Sequence, residues 1–284
     1  MTMKKIFLLI LLSTTILTAQ DVADSLLKQG WNPSGVVGVN LSQIAFKDWT
    51  QGGSNALAYT LFSNFGVIYF DNPWKWRTFL KAAYGRTKLE DQGYRTTDNE
   101  FYFESIVTRK IGWAIDPYFA LTVRSSLTKG YDYQSDPAVQ IVDFFDPGYV
   151  SEALGFQYSR GEVFSSRLGL ALQQTFANKF AAAYTDDIET LDKVEDFKFD
   201  TGIESVTEVK YNFYDNMTYL SFLRLFSRFN SLDVWDVRWD NTIAAKVNNY
   251  ITVNFNVVLV HEISQSRRTQ FKEALNIGIV YSLF

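Results

Sequence analysis

Apolar and polar residues alternate along most of this chain. Between 234 and 247, Trp235, Val237, Trp239, Ile243, Ala245 and Val247 share one parity, and Asp236, Arg238, Asp240, Thr242, Ala244 and Lys246 the other. Successive side chains of a strand point to opposite faces, so this is a strand with one apolar and one polar face. From 250 to 262, Ile251, Val253, Phe255, Val257 and Leu259 oppose Thr252, Asn254, Asn256 and Glu262. From 163 to 176, Phe164, Leu168, Leu170, Leu172 and Phe176 oppose Ser165, Arg167, Gly169, Ala171, Gln173 and Thr175. The same period predicts about nine further strands, near 35–46, 56–70, 74–86, 98–110, 117–128, 151–160, 197–212, 217–229 and 270–284. The stretch 217–229 is ambiguous, because Leu220, Phe222 and Phe226 share a face with Arg224 and Arg228.

Connection lengths sort by parity. The turns Asp71-Asn72-Pro73, Gly112 to Asp116, Arg160-Gly161, Tyr214-Asp215-Asn216 and Asn248-Asn249 are tight. Most of the connections between them, 47–55, 87–97, 129–150, 177–196 and 263–269, are longer, with 230–233 the short exception. Short turns at one rim and long loops at the other mark a membrane barrel. The expected fold is all-β, an up-and-down antiparallel transmembrane β-barrel of about twelve strands, closed because lipid offers no partner to an open edge. Both termini then fall on the periplasmic side. Trp74, Trp76 and Trp113 cluster at the short turns, where an interfacial aromatic girdle belongs.

Composition fits that destination. Aromatic residues make up 17%, with 24 Phe and 16 Tyr, yet mean hydropathy is only -0.09. Strands that are apolar outside and polar inside produce this combination. Lys4 and Lys5 precede an apolar run from Ile6 to Leu12, and Leu17-Thr18-Ala19 suits a cleavage site. The expected division is a signal peptide at 1–19, a periplasmic segment at 20–34 and the barrel at 35–284. With no cysteine, a disulfide framework, a thiolate metal site and a lipoprotein anchor are excluded. Without Lys4 and Lys5 the formal charge moves from -4 to -6, which argues against nucleic acid as a partner. The final residues, Asn276-Ile-Gly-Ile-Val-Tyr-Ser-Leu-Phe284, resemble the closing strand of bacterial outer-membrane barrels. That resemblance makes Gly278, Tyr281, Leu283 and Phe284 an expected assembly signal, with the barrel-assembly machinery as partner during biogenesis.

Charges of both signs fall on inward positions: Lys75, Arg77, Lys81, Glu100, Glu104, Arg124, Arg167, Asp200, Glu204, Glu208, Arg224, Arg228, Asp236, Arg238, Asp240 and Lys246. Lipid cannot solvate them, so they are expected to line the lumen. They form either the wall of a solute-selecting pore or a salt-bridge ladder that fills a narrow one. In the 129–150 loop, Asp136-Pro137 followed by Val139, Ile141, Val142, Phe144 and Phe145 predicts a helical piece. Its Phe144 or Phe145 would constrict the mouth. Asp186 with Glu189 predicts a short acidic helix ending near Val194. The acidic set Asp186, Asp187, Glu189, Asp192, Glu195 and Asp196 lacks the spacing of an EF-hand and reads as a solvated face rather than a calcium or magnesium site.

No cofactor, metal site or catalytic group is expected. The only histidine, His261, sits at the outer-leaflet end of a strand on its lipid-facing parity, but Ser264 points the other way, so no histidine-activated serine is spelled.

The first third of the mature chain carries Trp31, Gly38-Val39-Asn40-Leu41-Ser42-Gln43, Trp49, Gly52-Gly53-Ser54-Asn55, Trp74, Tyr84-Gly85 and Arg95-Thr96-Thr97-Asp98. These residues resemble an uncharacterised Bacteroidetes outer-membrane family, the domain of unknown function numbered three thousand seventy-eight. Arg95 stands where a lysine is commoner. The resemblance implies a barrel in a Gram-negative outer membrane and supplies no catalytic residues. The Trp49 and Gly52-Gly53 loop either closes over the rim or binds something. Three functions stand open: a narrow channel or binding barrel for small hydrophilic solutes, a non-conducting scaffold of a larger outer-membrane complex, and a lipid-modifying enzyme centred on His261.

Overall fold

The twelve alternating stretches form a closed ring of antiparallel strands. The computed structural model describes residues 27–45, 54–90, 93–186, 193–263 and 268–284. In chain order the strands are β1 (Gly30–Ile44), β2 (Ala56–Asp71), β3 (Trp74–Leu89), β4 (Arg95–Arg109), β5 (Asp116–Ser125), β6 (Gly130–Asp132), β7 (Val139–Val142), β8 (Gly148–Arg160), β9 (Phe164–Phe176), β10 (Phe197–Tyr214), β11 (Met217–Arg228), β12 (Ser231–Lys246), β13 (Ile251–His261) and β14 (Gln270–Ser282), with one helical turn, α1 (Ala181–Tyr184). Around the ring the order is β1-β14-β13-β12-β11-β10-β9-β8-β5-β4-β3-β2, with β6 and β7 a separate two-stranded sheet in a long loop. Each barrel strand pairs with its sequence neighbour, and β14 closes on β1 from Val36↔Ser282 to Leu41↔Ile277.

Parity then places every side chain. Leu154, Leu168, Leu170, Leu275 and Ile277 are all more than half exposed on the outer wall. Aromatic rings crowd both rims of that wall. At the short-turn rim Trp31 lies 4.8 Å from Tyr69 and 6.0 Å from Trp76, and Arg109 covers Trp74 at 5.3 Å. At the long-loop rim Phe176 lies 5.2 Å from Phe197. Trp113 is exposed in its turn, at the same rim as Trp74 and Trp76.

Three expectations change. The barrel begins at Gly30, not 35, because residues 30–35 pair with β2 down to Gly30↔Phe70. Pro33, which argues against a strand, is tolerated there because the ladder to β14 starts only at Val36. The 129–150 loop carries the β6–β7 hairpin rather than a helix. Asp132 holds its turn by accepting from the Gln134 N–H at 2.9 Å and the Ser135 hydroxyl at 3.2 Å, and β-branched Val139, Ile141 and Val142 extend. Third, Phe145 covers Gly148 on the outer wall and lies 6.0 Å from Phe176, with exposed Phe144 at 6.3 Å from it. These rings extend the outer aromatic rim and do not constrict the mouth. The signal segment, the Trp49 and Gly52-Gly53 loop and the core of the acidic helix at 187–192 lie outside the described residues.

Candidate functional site: the lumen

One side of the lumen is dry. Inward positions on β5, β8, β9 and β10 are occupied by Ala120, Ala153, Gly155, Gly169, Ala171 and Gly202. This wall of minimal side chains leaves room for large ones from elsewhere. Tyr118 fits over Gly169, where a Cβ would come within 2.7 Å of its hydroxyl. Phe226 of β11 leans on Gly202 in the same way and is fully buried. Ile106, Tyr118, Ala120, Ala153, Ala171 and Phe226 form one apolar cluster inside the barrel. This resolves the ambiguous 217–229 stretch: its mixed face points inward, with Phe226 in the dry cluster and Arg224 beside it.

Ion pairs cross the remaining space. Arg77 of β3 grips Glu208 of β10 through both terminal nitrogens at 2.9 Å and reaches Glu104 at 3.2 Å. Arg167 of β9 meets the other Glu104 oxygen at 2.6 Å, with both side chains about 95% buried. Glu100 of β4 holds Lys81 of β3 and Arg238 of β12, each at 2.8 Å, and Arg238 also takes Asp240. In the ring of twelve, β12 and β4 stand six places apart, on opposite sides, and β3 and β10 five apart. Paired forks of this kind are strong and directional. Nearer the long loops Arg224 pairs with Glu204 at 2.7 Å and donates to Gln173 at 3.0 Å. Arg228 lies between Asp200 at 3.1 Å and Asp236 at 2.9 Å, contacts that are electrostatic, since its Nε and Asp236 Oδ2 are off-line for hydrogen bonds. Lys272 of β14 reaches Asp98 of β4 across the mouth.

The opposite wall carries mainly amides and hydroxyls, set between the charges of β12 and Lys272 of β14. Thr242, Thr252, Asn254, Asn256, Asn276, Asn40 and Thr60 occupy inward positions from β12 round to β2. Thr242 donates to Asn256 at 2.8 Å, Asn254 to Thr252 at 3.1 Å, and Asn254 sits directly across from Asn276. All are half-buried, and the Asn40 Oδ1 is itself buried with no hydrogen-bond partner among the described residues. The lumen is therefore divided into a dry plug, a bridge of charges and a strip of amides and hydroxyls.

The charged positions expected at the lumen fall as follows. Arg77, Lys81, Glu100, Glu104, Arg167, Asp200, Glu204, Glu208, Arg224, Arg228, Asp236, Arg238 and Asp240 all join these contacts. Lys75 and Lys246 share inward parity near the short-turn rim, and Arg124 lies over Tyr149 at 5.3 Å. Glu152 shares the outward parity of Leu154 and Phe156 and accepts there from Gln174 at 3.2 Å. At the chain end Leu283 N–H donates to the Gly35 carbonyl at 2.8 Å and the Phe284 ring lies against Gly35. His261 stands at the long-loop end of β13, with Nδ1 3.1 Å from the Thr269 hydroxyl; Ser264 and Ser266 lie outside the described residues. No group of three His, Asp or Glu among the described residues is placed to hold a metal. In the long loops, the Phe144 N–H holds the Asp143 carboxyl below its ordinary value, and burial raises the Tyr184 phenol.

Solved structures that resemble the chain are outer-membrane proteins. A NanC porin is 13% identical, with 87% of this chain and 98% of that chain covered and a TM-score of 0.41. An outer membrane channel from Pseudomonas putida F1 is 10% identical over 90% of this chain and 96% of that one, at 0.40. The translocator domain of the autotransporter NalP from Neisseria meningitidis is 7% identical over 94% and 92%, at 0.39. No curated protein matches the sequence. Residues 41–131, roughly a third of the 284, match a family described as "Protein of unknown function (DUF3078)".

Proposed function

We propose that this chain is an outer-membrane barrel of a Gram-negative bacterium of the Bacteroidetes, with its short turns in the periplasm, and that it binds or passes small hydrophilic solutes. The exposed apolar outer wall with an aromatic rim at each end supports the membrane setting. One observation carries the functional reading: Arg238 and Glu100 meet from opposite sides of the ring. Side chains that touch across the diameter exclude a wide diffusion pore. What remains open is the strip of amides and hydroxyls, whose donors and acceptors suit sugars, polyols and other small polar molecules. No step of this reading calls for catalysis.

Swelling of liposomes containing the purified protein, in uncharged sugars of graded size, tests it. Slow entry of the smallest solutes, with a sharp cut-off, is expected. No entry of any solute would leave a structural barrel in place of a conduit.

A further inference from the structure

Among the described residues, Arg77, Arg124, Arg167, Arg224, Arg228 and Arg238 point into the lumen along the barrel wall, and Arg95 shares their face at the long-loop rim, over the Tyr133 ring. Of the six below the rim, Arg124 alone makes no ion pair among the described residues. Its Nη2 is buried and has no hydrogen-bond partner. Its guanidinium lies 5.3 Å over the ring of Tyr149, its direct cross-strand neighbour on β8. Arg224 and Arg238 face it with like charge from β11 and β12, and Glu262 attracts it. A buried charge without a partner is costly, and native structures seldom leave one without an ion or ligand. The other guanidiniums below the rim are neutralised by the barrel itself, so this one is held ready by a ring that fixes its plane and leaves its fork unused.

We propose that Arg124, stacked on Tyr149, is the anchor of a lumenal binding site for a small oxyanion, a solute bearing a carboxylate or a phosphate group. A planar fork of N–H donors matches two oxygens of such a group, which a spherical halide cannot offer. This rests on the reading of the lumen as a compartment for small hydrophilic solutes, and narrows that class to anions at the long-loop end.

The purified barrel, refolded at low ionic strength, is unfolded thermally in sodium acetate, sodium phosphate or sodium chloride at matched ionic strength, and folding is read from heat-modifiable migration. Acetate and phosphate should raise the midpoint of the wild type above its value in chloride, by about 5 °C near saturation. Arg124→Gln should lose that difference, and Arg124→Lys, which keeps the charge but not the fork, should lose more than half of it. An equal midpoint in all three salts, or a difference that survives in Arg124→Gln, overturns the site. Entry of uncharged sugars into liposomes does not depend on Arg124, so that assay separates failure of this site from failure of the lumen as a conduit.

Discussion

Arg238 of β12 and Glu100 of β4 stand on opposite sides of a twelve-strand ring and meet at 2.8 Å. Both side chains keep about a quarter of their surface in contact with solvent, whereas the Arg167–Glu104 pair keeps about a twentieth. Water therefore screens the first pair and not the second. Arg167→Met should cost about 3 kcal/mol, because it leaves Glu104 partly uncompensated in a dry site. Lys210→Met, in the exposed pair with Glu162, should cost about 0–1 kcal/mol. Urea unfolding in vesicles measures both; equal costs would show the lumen uniformly wet.

The outer wall gives a second test. Val253 points outward and Asn254, one residue on, inward against Asn276. Val253→Arg should destabilise insertion by roughly 2–4 kcal/mol, the penalty for a cation at mid-bilayer on a barrel's lipid face. Asn254→Arg should insert normally. Matching folded yields for the two variants would reverse the assigned faces.

Gly169 leaves no room for a side chain: a Cβ there would come within 2.5 Å of the Leu154 carbonyl and 2.7 Å of the Tyr118 hydroxyl. Gly169→Ala should cost about 1–3 kcal/mol through overpacking. Tyr118 would have to leave the apolar cluster, which shows as increased quenching of tyrosine emission by a small aqueous quencher. An unchanged stability and unchanged quenching would mean the wall is not packed as described.

The chain end gives a fourth. Phe284 covers Gly35, and Leu283 N–H bonds the Gly35 carbonyl at the β1–β14 closure. Deleting Phe284 should lower the yield of heat-modifiable protein in the outer membrane, since the closing strand loses its end. Wild-type yield of the truncated chain would remove the terminal residue from assembly.

The twelve strands and the sorting of short and long connections were legible because period-two alternation records which face meets water and which does not. Inward parity likewise marked Arg77, Glu100, Glu208 and Arg238. Their partners were not legible. Arg238 and Glu100 lie 138 residues apart, and nothing local in either strand says which opposite strand will stand across the ring. Two other failures have local causes. Asp136-Pro137 looks like a helix start, but the turn held by Asp132 and the β-branched run after Pro137 won the loop for a hairpin. Phe145 lies against Phe176 and over Gly148, with Phe144 exposed beside it, on an apolar surface visible only once β8 and β9 are side by side.

Closure of the lumen by ion pairs from opposite strands is tested most directly by single-channel conductance of the purified protein in planar bilayers, wild type against Glu100→Ala/Arg238→Ala. The wild type should conduct weakly or not at all, and the double variant, folded by heat-modifiable migration, should conduct several-fold more. A wild type that conducts freely, or a folded double variant no more conductive than the wild type, would contradict it.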